Sequence, residues 1–264
     1  MEARQPFFLQ VYHRVFMVES RVPRKILGVV PARFASTRFP GKVLSLISSK
    51  SMLQHVYERA SQARYLTSTI IATDDDRIVQ AARRFGAMVR LTRPEHLSGT
   101  DRVAEIASAE NADIIVNIQG DEPLIDPAAI DAAILPLVHE PEIVMSTLKK
   151  RIEDPREIED PNVVKVVTDR AGDAIYFSRC PIPFPRDGGA VDHYKHIGLY
   201  VYRRDFLLGY PMLPVGPLEK AEKLEQLRAL EAGMRIDIGI VDSVPRGVDT
   251  PADLEATRLI LAKS

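Results

Sequence analysis

From about residue 26 onward the sequence predicts an α/β fold, a mainly parallel sheet with helices on both faces, and three observations predict it. Short β-branched runs alternate with stretches of helical periodicity. The runs are apolar nearly throughout, as in Ile26-Leu27-Gly28-Val29-Val30, which suits strands covered on both faces. Helix-capping residues such as Ser51, Ser98, Asp126 and Thr250 stand where helical patterns begin.

Taken in order, the first run empties at Pro31 into a cationic loop, Pro31-Ala32-Arg33-Phe34-Ala35-Ser36-Thr37-Arg38-Phe39-Pro40-Gly41-Lys42. Its small residues allow close backbone approach, and Arg33, Arg38 and Lys42 suit a phosphate or carboxylate. A solvated basic surface loop explains the same charges equally well. Ser51 then caps a helix with Met52, Leu53, Val56, Tyr57 and Ala60 on one face. Thr69 to Ala72 is a strand whose acidic end, Asp74-Asp75-Asp76, opens a helix with Ile78, Val79, Ala82 and Phe85 inward and a stop at Gly86. Met88 to Leu91 is a further strand, Ser98 opens a helix carrying Val103, Ile106 and Ala107, and Asp113 to Ile118 runs into Gln119-Gly120-Asp121-Glu122-Pro123. Asp126-Pro127 starts a helix with Ile130, Ile134 and Leu137 inward.

After about residue 143 the texture changes. Val163 to Thr168 and Ala174 to Ser178 flank a polar, Gly-containing turn and read as a hairpin, and His196 to Tyr202 is another strand. The Pro- and Gly-rich stretch between them is a long loop, so residues 143–210 read as a β-rich insertion or subdomain. A single helix carrying Ala221, Leu224, Leu227 and Leu230 is expected up to Gly233, then a strand from Arg235 to Val241 and a last helix from Thr250-Pro251.

The 264 residues, 45% hydrophobic, can hold one large α/β domain. With 35 Lys and Arg against 36 Asp and Glu the net charge is −1, so no global field favours nucleic acid and anion binding must come from local clusters. No run approaches the roughly 18 apolar residues of a membrane span. The single cysteine, Cys180, excludes an intrachain disulfide, suits a reducing compartment and reads as a packed thiol. Residues 1–25 stand apart. Phe8, Val11, Tyr12, Val15 and Phe16 fall at helical spacing, interrupted by Gln10, His13 and Arg14, with no cleavage site of a secretion signal. A docked amphipathic helix or translated sequence ahead of a start at Met17 is preferred over a membrane-surface anchor.

Ligands of open α/β sheets bind beyond the carboxyl ends of the strands, which singles out the basic loop, Gln119-Gly120-Asp121-Glu122 and Gly247-Val248-Asp249-Thr250. Neither a Walker motif nor a G-x-G-x-x-G fingerprint is present, leaving the basic loop as the phosphate holder. Asp121 and Asp249 are carboxylates of the kind that hold Mg²⁺; by spacing alone, the plainer reading is that one shapes a turn and the other precedes a helix. Glu219, Glu222, Glu225, Gln226 and Arg228 share the expected helix, where Glu and Arg three apart form an exposed ion pair of small value. His196 reads as a satisfied structural histidine.

Six ordered motifs carry a resemblance: the basic loop, Ala72-Thr73-Asp74, Ser98-Gly99-Thr100-Asp101-Arg102, Val116-Asn117-Ile118-Gln119-Gly120-Asp121-Glu122-Pro123, Tyr176-Phe177-Ser178-Arg179 and Gly247-Val248-Asp249-Thr250-Pro251. Together, over about residues 26 to 262, they resemble the 3-deoxy-manno-octulosonate (Kdo) cytidylyltransferases, or CMP-Kdo synthetases. The resemblance implies a Rossmann-like, glycosyltransferase-A type core. It also implies a cytoplasmic nucleotidyltransferase, usually a homodimer with its dimer contact in the β-rich part, which couples CTP to Kdo and supplies lipopolysaccharide assembly. Carried over, Ala32, Arg33, Ser36, Arg38, Lys42, Thr73, Asp74, Ser98, Gly99, Thr100 and Gln119 would serve the nucleotide, with Arg33 and Lys42 on its phosphates. Arg38, Gln119, Arg179, His196, Glu222 and Gln226 would serve the sugar acid, and Asp121 and Asp249 would hold Mg²⁺. Transfer to another acidic sugar, such as sialic acid, is the nearest alternative. A catalytically silent nucleotide-binding module is a further one, against which the joint presence of Lys42, Asp121 and Asp249 argues.

Overall fold

The structure, a computed structural model, describes residues 25–35, 39–96, 98–243 and 247–262. The expectations for residues 1–24 and the positions Ser36 and Arg38 lie outside the described residues. In chain order the elements are β1 (Ile26–Ala32), a 3-10 turn at Lys42–Leu44, β2 (Leu46–Ile47), β3 (Lys50–Ser51), α1 (Met52–Ala60), β4 (Ser68–Thr73), α2 (Asp76–Arg84), β5 (Met88–Leu91), α3 (Gly99–Ala109), β6 (Ile114–Asn117) and α4 (Pro127–His139). There follow β7 (Met145–Arg151), α5 (Arg156–Glu159), β8 (Lys165–Thr168), β9 (Ala174–Ser178), β10 (Tyr194–Arg203), α6 (Arg204–Gly209), α7 (Pro217–Glu222), α8 (Leu227–Glu231), β11 (Ile236–Ile240) and α9 (Pro251–Leu261).

The helix starts follow from the side chains that cap them. Ser51 accepts from the Gln54 N–H, Asp75 from Arg77 and Asp126 from Ala128, while Ser98 with Asp101 and Thr250 with Asp253 form capping boxes. Each such cap is worth about 1 kcal/mol and fixes where the chain turns from strand exit to helix.

Nine strands form one sheet in the order β11-β7-β10-β6-β1-β4-β5, with the β8–β9 hairpin attached to β10. β1 pairs in parallel with β4 and β6, and β4 with β5, whereas β10 runs antiparallel to both β6 and β7. Alternation along β1 sorts the core into two layers. Ile26, Val30 and Ala32 pack with Leu53, Val56, Ile78, Ile130 and Ile134 on one face. Leu27 and Val29 pack with Val103, Ile106, Phe206 and Leu227 on the other. Each such side chain, removed from water, contributes about 1.5–3 kcal/mol, so both helix layers are driven onto the sheet.

Residues 143–210 put β7 and β10 into the main sheet, and only β8 and β9 stand off its path. The sequence reading missed β7, whose Lys149-Lys150-Arg151 end hides a strand that begins with five buried residues. The helix expected up to Gly233 is instead two. Lys223, at φ 55° and ψ 44°, ends α7, and Gln226 begins α8. Glu219 and Arg228 close this break through hydrogen bonds of 2.8 and 2.6 Å, with both side chains largely buried, which corrects the exposed three-apart pair expected there. Cys180 is exposed rather than packed.

Candidate active site

The carboxyl ends of β1, β4 and β6 lie side by side because these strands pair in parallel and in register, Ala32 with Thr73 and Val29 with Asn117. Close approach of the following loops depends on Gly120, where a Cβ would lie 2.8 Å from the Pro31 carbonyl oxygen. The third chain segment is fastened to the second by the Val248 N–H, which donates to the Asp121 carbonyl at 2.9 Å. Val248 is fully buried with Ile47, Met52 and Leu254, so apolar packing of α9 delivers Asp249 to the same place.

Lys42 joins these segments. Its Nζ donates to Asp121 Oδ2 at 2.7 Å and to Asp249 Oδ1 at 2.9 Å. Burial acts to lower the pKa of this ammonium, but the two carboxylates outweigh it and hold the value above the ordinary one. The lysine is therefore a fixed cation with one of its three N–H donors still to place. Arg33, Lys42, Gly99, Gln119, Asp121 and Asp249, all singled out in the sequence, line one open cleft of about 480 Å³. Two carboxylates meeting at a single point offer hard oxygen donors. Among the described residues no group of three or more His, Cys, Asp and Glu is placed to hold a metal ion. Two carboxylates alone match in donor type an ion that takes few protein ligands and keeps positions for phosphate oxygens.

The other nucleotide candidates described, Thr73, Asp74, Ser98 and Thr100, are not on the wall of this cleft, and their side chains are engaged with protein. Thr73 is buried and its hydroxyl accepts from the Asp75 N–H at 3.2 Å. Asp74 accepts from Arg102 at 3.0 Å, and Arg102, 0% exposed, also donates to Thr92. Thr100 donates to Glu225 at 3.0 Å and Ser98 reaches the same carboxylate at 3.4 Å. The Glu225 carboxyl is raised above its usual range by burial.

The sugar-acid candidates fall into two groups. Gln119 Nε2 donates to the Gly198 carbonyl at 3.1 Å, which ties the cleft to β10. Two residues earlier on β10, His196 Nε2 lies 2.9 Å from Thr147 Oγ1. That hydroxyl donates to the Leu199 or Ile197 carbonyl, at 2.8 and 3.0 Å, so it accepts from a neutral imidazole protonated at Nε2. Burial lowers the His196 pKa to about 3. Arg179 and Glu222 form the second group: Arg179 Nε donates to the Glu222 carbonyl at 2.8 Å. The Glu222 carboxylate accepts from Ser178 Oγ at 2.6 Å and from the Arg179 N–H at 3.0 Å. Gln226 is 4% exposed and its Nε2 has no hydrogen-bond partner among the described residues. Arg179, His196, Glu222 and Gln226 are not on the cleft wall with Lys42.

Sequence reasoning assigned no role to Glu122 or Arg102, although both stood inside quoted motifs. Glu122 has a buried carboxyl oxygen without a hydrogen bond among the described residues, and burial beside Asp121 pushes its pKa up to about 8. Arg102 could have been flagged as a charged residue amid the apolar positions Val103 and Ile106 of its helix.

A cation–dicarboxylate centre beside a cationic loop, at the carboxyl ends of parallel strands, is of the kind that suits a phosphate-bearing ligand and nucleotidyl transfer. The profile of the cytidylyltransferase family matches residues 27–236, and the chain belongs to that family. Its relatives sharpen the likeness. It is 75% identical over 235 residues to the 3-deoxy-manno-octulosonate cytidylyltransferase of Solibacter usitatus, covering 89% of this chain and 93% of that one. It is 56% identical over 241 residues to the protein of the same name from Geobacter sulfurreducens, covering 87% and 96%. A solved structure of CMP:2-keto-3-deoxy-manno-octonic acid synthetase complexed with CTP superposes with a TM-score of 0.88 at 44% identity, covering 90% of this chain and 99% of that one.

Proposed function

We propose that this protein transfers the cytidylyl group of CTP to Kdo, giving CMP-Kdo and pyrophosphate. The observation that carries this reading is the convergence of Lys42, Asp121 and Asp249 from three distant chain segments onto one cleft that also presents Arg33. The likeness to named Kdo cytidylyltransferases supports the choice of both substrates.

In the reaction the sugar's anomeric hydroxyl oxygen forms a bond to the α-phosphorus. The bond from that phosphorus to the bridging oxygen breaks, pyrophosphate leaves with the electron pair, and the hydroxyl proton passes to solvent. Such a transfer needs alignment and neutralisation of phosphate charge more than covalent help from the protein. Arg33, exposed on the cleft wall, meets the triphosphate, and Lys42 gives its remaining N–H to a phosphate oxygen while keeping the carboxylates in place. Asp121 and Asp249 would hold Mg²⁺, which when bound supplies charge neutralisation and acidifies the attacking hydroxyl. Gln119, which lines the cleft and donates to the Gly198 carbonyl of β10, would orient the sugar. Arg179 is the cation for the sugar carboxylate, exchanging backbone carbonyls for a charged partner.

A second copy of the chain is the natural cover for the apolar side chains exposed around β9 and the loop after it, Ile175, Phe184 and Val191. Sedimentation equilibrium at micromolar concentration would return a dimer mass, and a monomer would remove this part of the reading. The exposed thiol of Cys180 suits a reducing cytoplasm.

The deciding experiment measures pyrophosphate release from CTP with Mg²⁺ across a panel of sugar acids. Turnover with Kdo is expected. Turnover with sialic acid but not Kdo overturns the substrate, and silence with every acid overturns catalysis.

A further inference from the structure

The loop between β1 and Lys42 is pinned at its neck by two backbone hydrogen bonds. The Gly41 N–H donates to the Phe34 carbonyl at 2.8 Å, and the Lys42 N–H donates to that of Phe39 at 3.2 Å. The Phe34 ring then folds against this neck. Gly41 has φ 70°, and a Cβ there would lie 3.0 Å from two Phe34 ring atoms, so the position requires glycine for both conformation and space. The ring also lies under a cation, with Arg77 Cζ 3.3 Å from its centroid. That guanidinium is oriented by both oxygens of Asp75, at 2.9 Å from Nε and 2.6 Å from the terminal nitrogen. Asp75 in turn caps α2 by accepting from the Arg77 N–H at 2.9 Å. The Arg77 side chain holds the Asp75 carboxyl below the usual carboxylate range.

We infer that Phe34 and Arg77, braced by Asp75 on the start of α2, form a strut that sets the neck of the phosphate loop, making both positioning residues for the CTP triphosphate. Contacts run without a gap from the α2 cap through Asp75, Arg77, Phe34 and Gly41 to Lys42, whose ammonium sits on Asp121 and Asp249. An exposed Arg–Asp pair alone would be worth little. Here the guanidinium carbon also lies over the ring, a contact that a planar, bidentate arginine provides and a lysine reproduces only in part. Neither residue touches the dicarboxylate, so their influence is through the placement of Arg33 and Lys42. The inference rests on the cytidylyl-transfer reading.

The test compares Arg77→Ala, Arg77→Lys, Phe34→Leu and the Arg77→Ala/Phe34→Leu double variant by pyrophosphate release, alongside amide exchange of the ligand-free proteins. Arg77→Ala is expected to raise KM for CTP about two- to fivefold, the worth of one cation–π contact at an exposed site, with KM for the sugar acid unchanged. Arg77→Lys should recover part of the loss. In the Phe34→Leu background Arg77→Ala should add nothing, because the ring it acts through is gone. The Gly41 amide should exchange faster in Arg77→Ala. An unchanged KM for CTP, or two substitutions whose effects multiply, overturns the strut. Absence of turnover in the unsubstituted protein defeats the cytidylyl-transfer reading instead, and unaltered Gly41 exchange in Arg77→Ala then still overturns the strut.

Discussion

The cleft around Lys42 and the region of β9, β10 and the α7–α8 break hold their polar residues in different ways. At the ends of β1 and β6, Lys42, Asp121 and Asp249 are bound to one another as ions, partly exposed, around an open cleft. Around β9, β10 and the α7–α8 break, His196 is neutral and capped by Thr147, Arg179 is held by backbone carbonyls, and Gln226 is buried. The first arrangement keeps charge available for a highly charged ligand. The second, the buried Gln226 Nε2 apart, has its hydrogen-bonding groups taken up by protein, so on the proposed reading a sugar acid would have to offer better partners, which favours selectivity over raw attraction.

The largest expected effect tests whether the ionic side is machinery. Asp121→Ala and Asp249→Ala should each lower turnover by about two to three orders of magnitude, the usual loss when one group that stabilises developing charge is removed. Thermal melts should move little, because both carboxylates are partly exposed and the other remains on Lys42. A variant that unfolds, yet keeps turnover per folded molecule, would reassign the pair to structure.

Next in size is Asp74, which the resemblance gives to the nucleotide and the structure gives to Arg102. Asp74→Ala would leave the fully buried guanidinium without its carboxylate and should cost about 3–5 kcal/mol in urea unfolding. Asp74→Asn, which keeps an acceptor oxygen, should cost distinctly less. Normal stability in Asp74→Ala would place the residue on the ionic side of the comparison after all.

The smallest change at neutral pH concerns His196, whose effect is measured as a slope with pH and not as a loss. Its folded pKa is about 3 against an ordinary 6.5, so between these values the unfolded chain binds a proton that the folded protein does not. Its contribution to stability is present above pH 6.5 and is lost as pH falls through that value toward 3, at a slope of up to about 1.4 kcal/mol per pH unit. In His196→Gln the acid limb of the stability profile should flatten over this window. An unaltered profile would mean that the imidazole is not held neutral, and the contrast between the two sides would weaken.

The strands, the capped helix starts and the three strand-end clusters were legible in the residues because each depends on neighbours in sequence: β-branched runs, an Asp or Ser before a helical period, a proline at a helix start. The failures were those in which a distant partner overruled local preference. The α7–α8 segment has helical periodicity throughout, yet the Glu219–Arg228 pair and the Tyr210 hydroxyl, which donates to the Glu225 carbonyl at 2.6 Å, stabilise a break within it. β7 ends in three cations that local reading does not place in a sheet centre, but pairing with both β10 and β11 does.

The same division holds at the site. Residue types and order alone established that a cationic loop, an Asp after β6 and an Asp before α9 were present, and their motif pattern was enough to suggest cytidylyl transfer. That Asp121 and Asp249, 128 positions apart, share one lysine was decided only by the folded chain: parallel pairing of β1 with β6, the Val248 to Asp121 hydrogen bond and the apolar seat of α9. Spacing along a chain carries no information about such convergence, because it is fixed by burial and pairing of the elements between, not by the residues that meet.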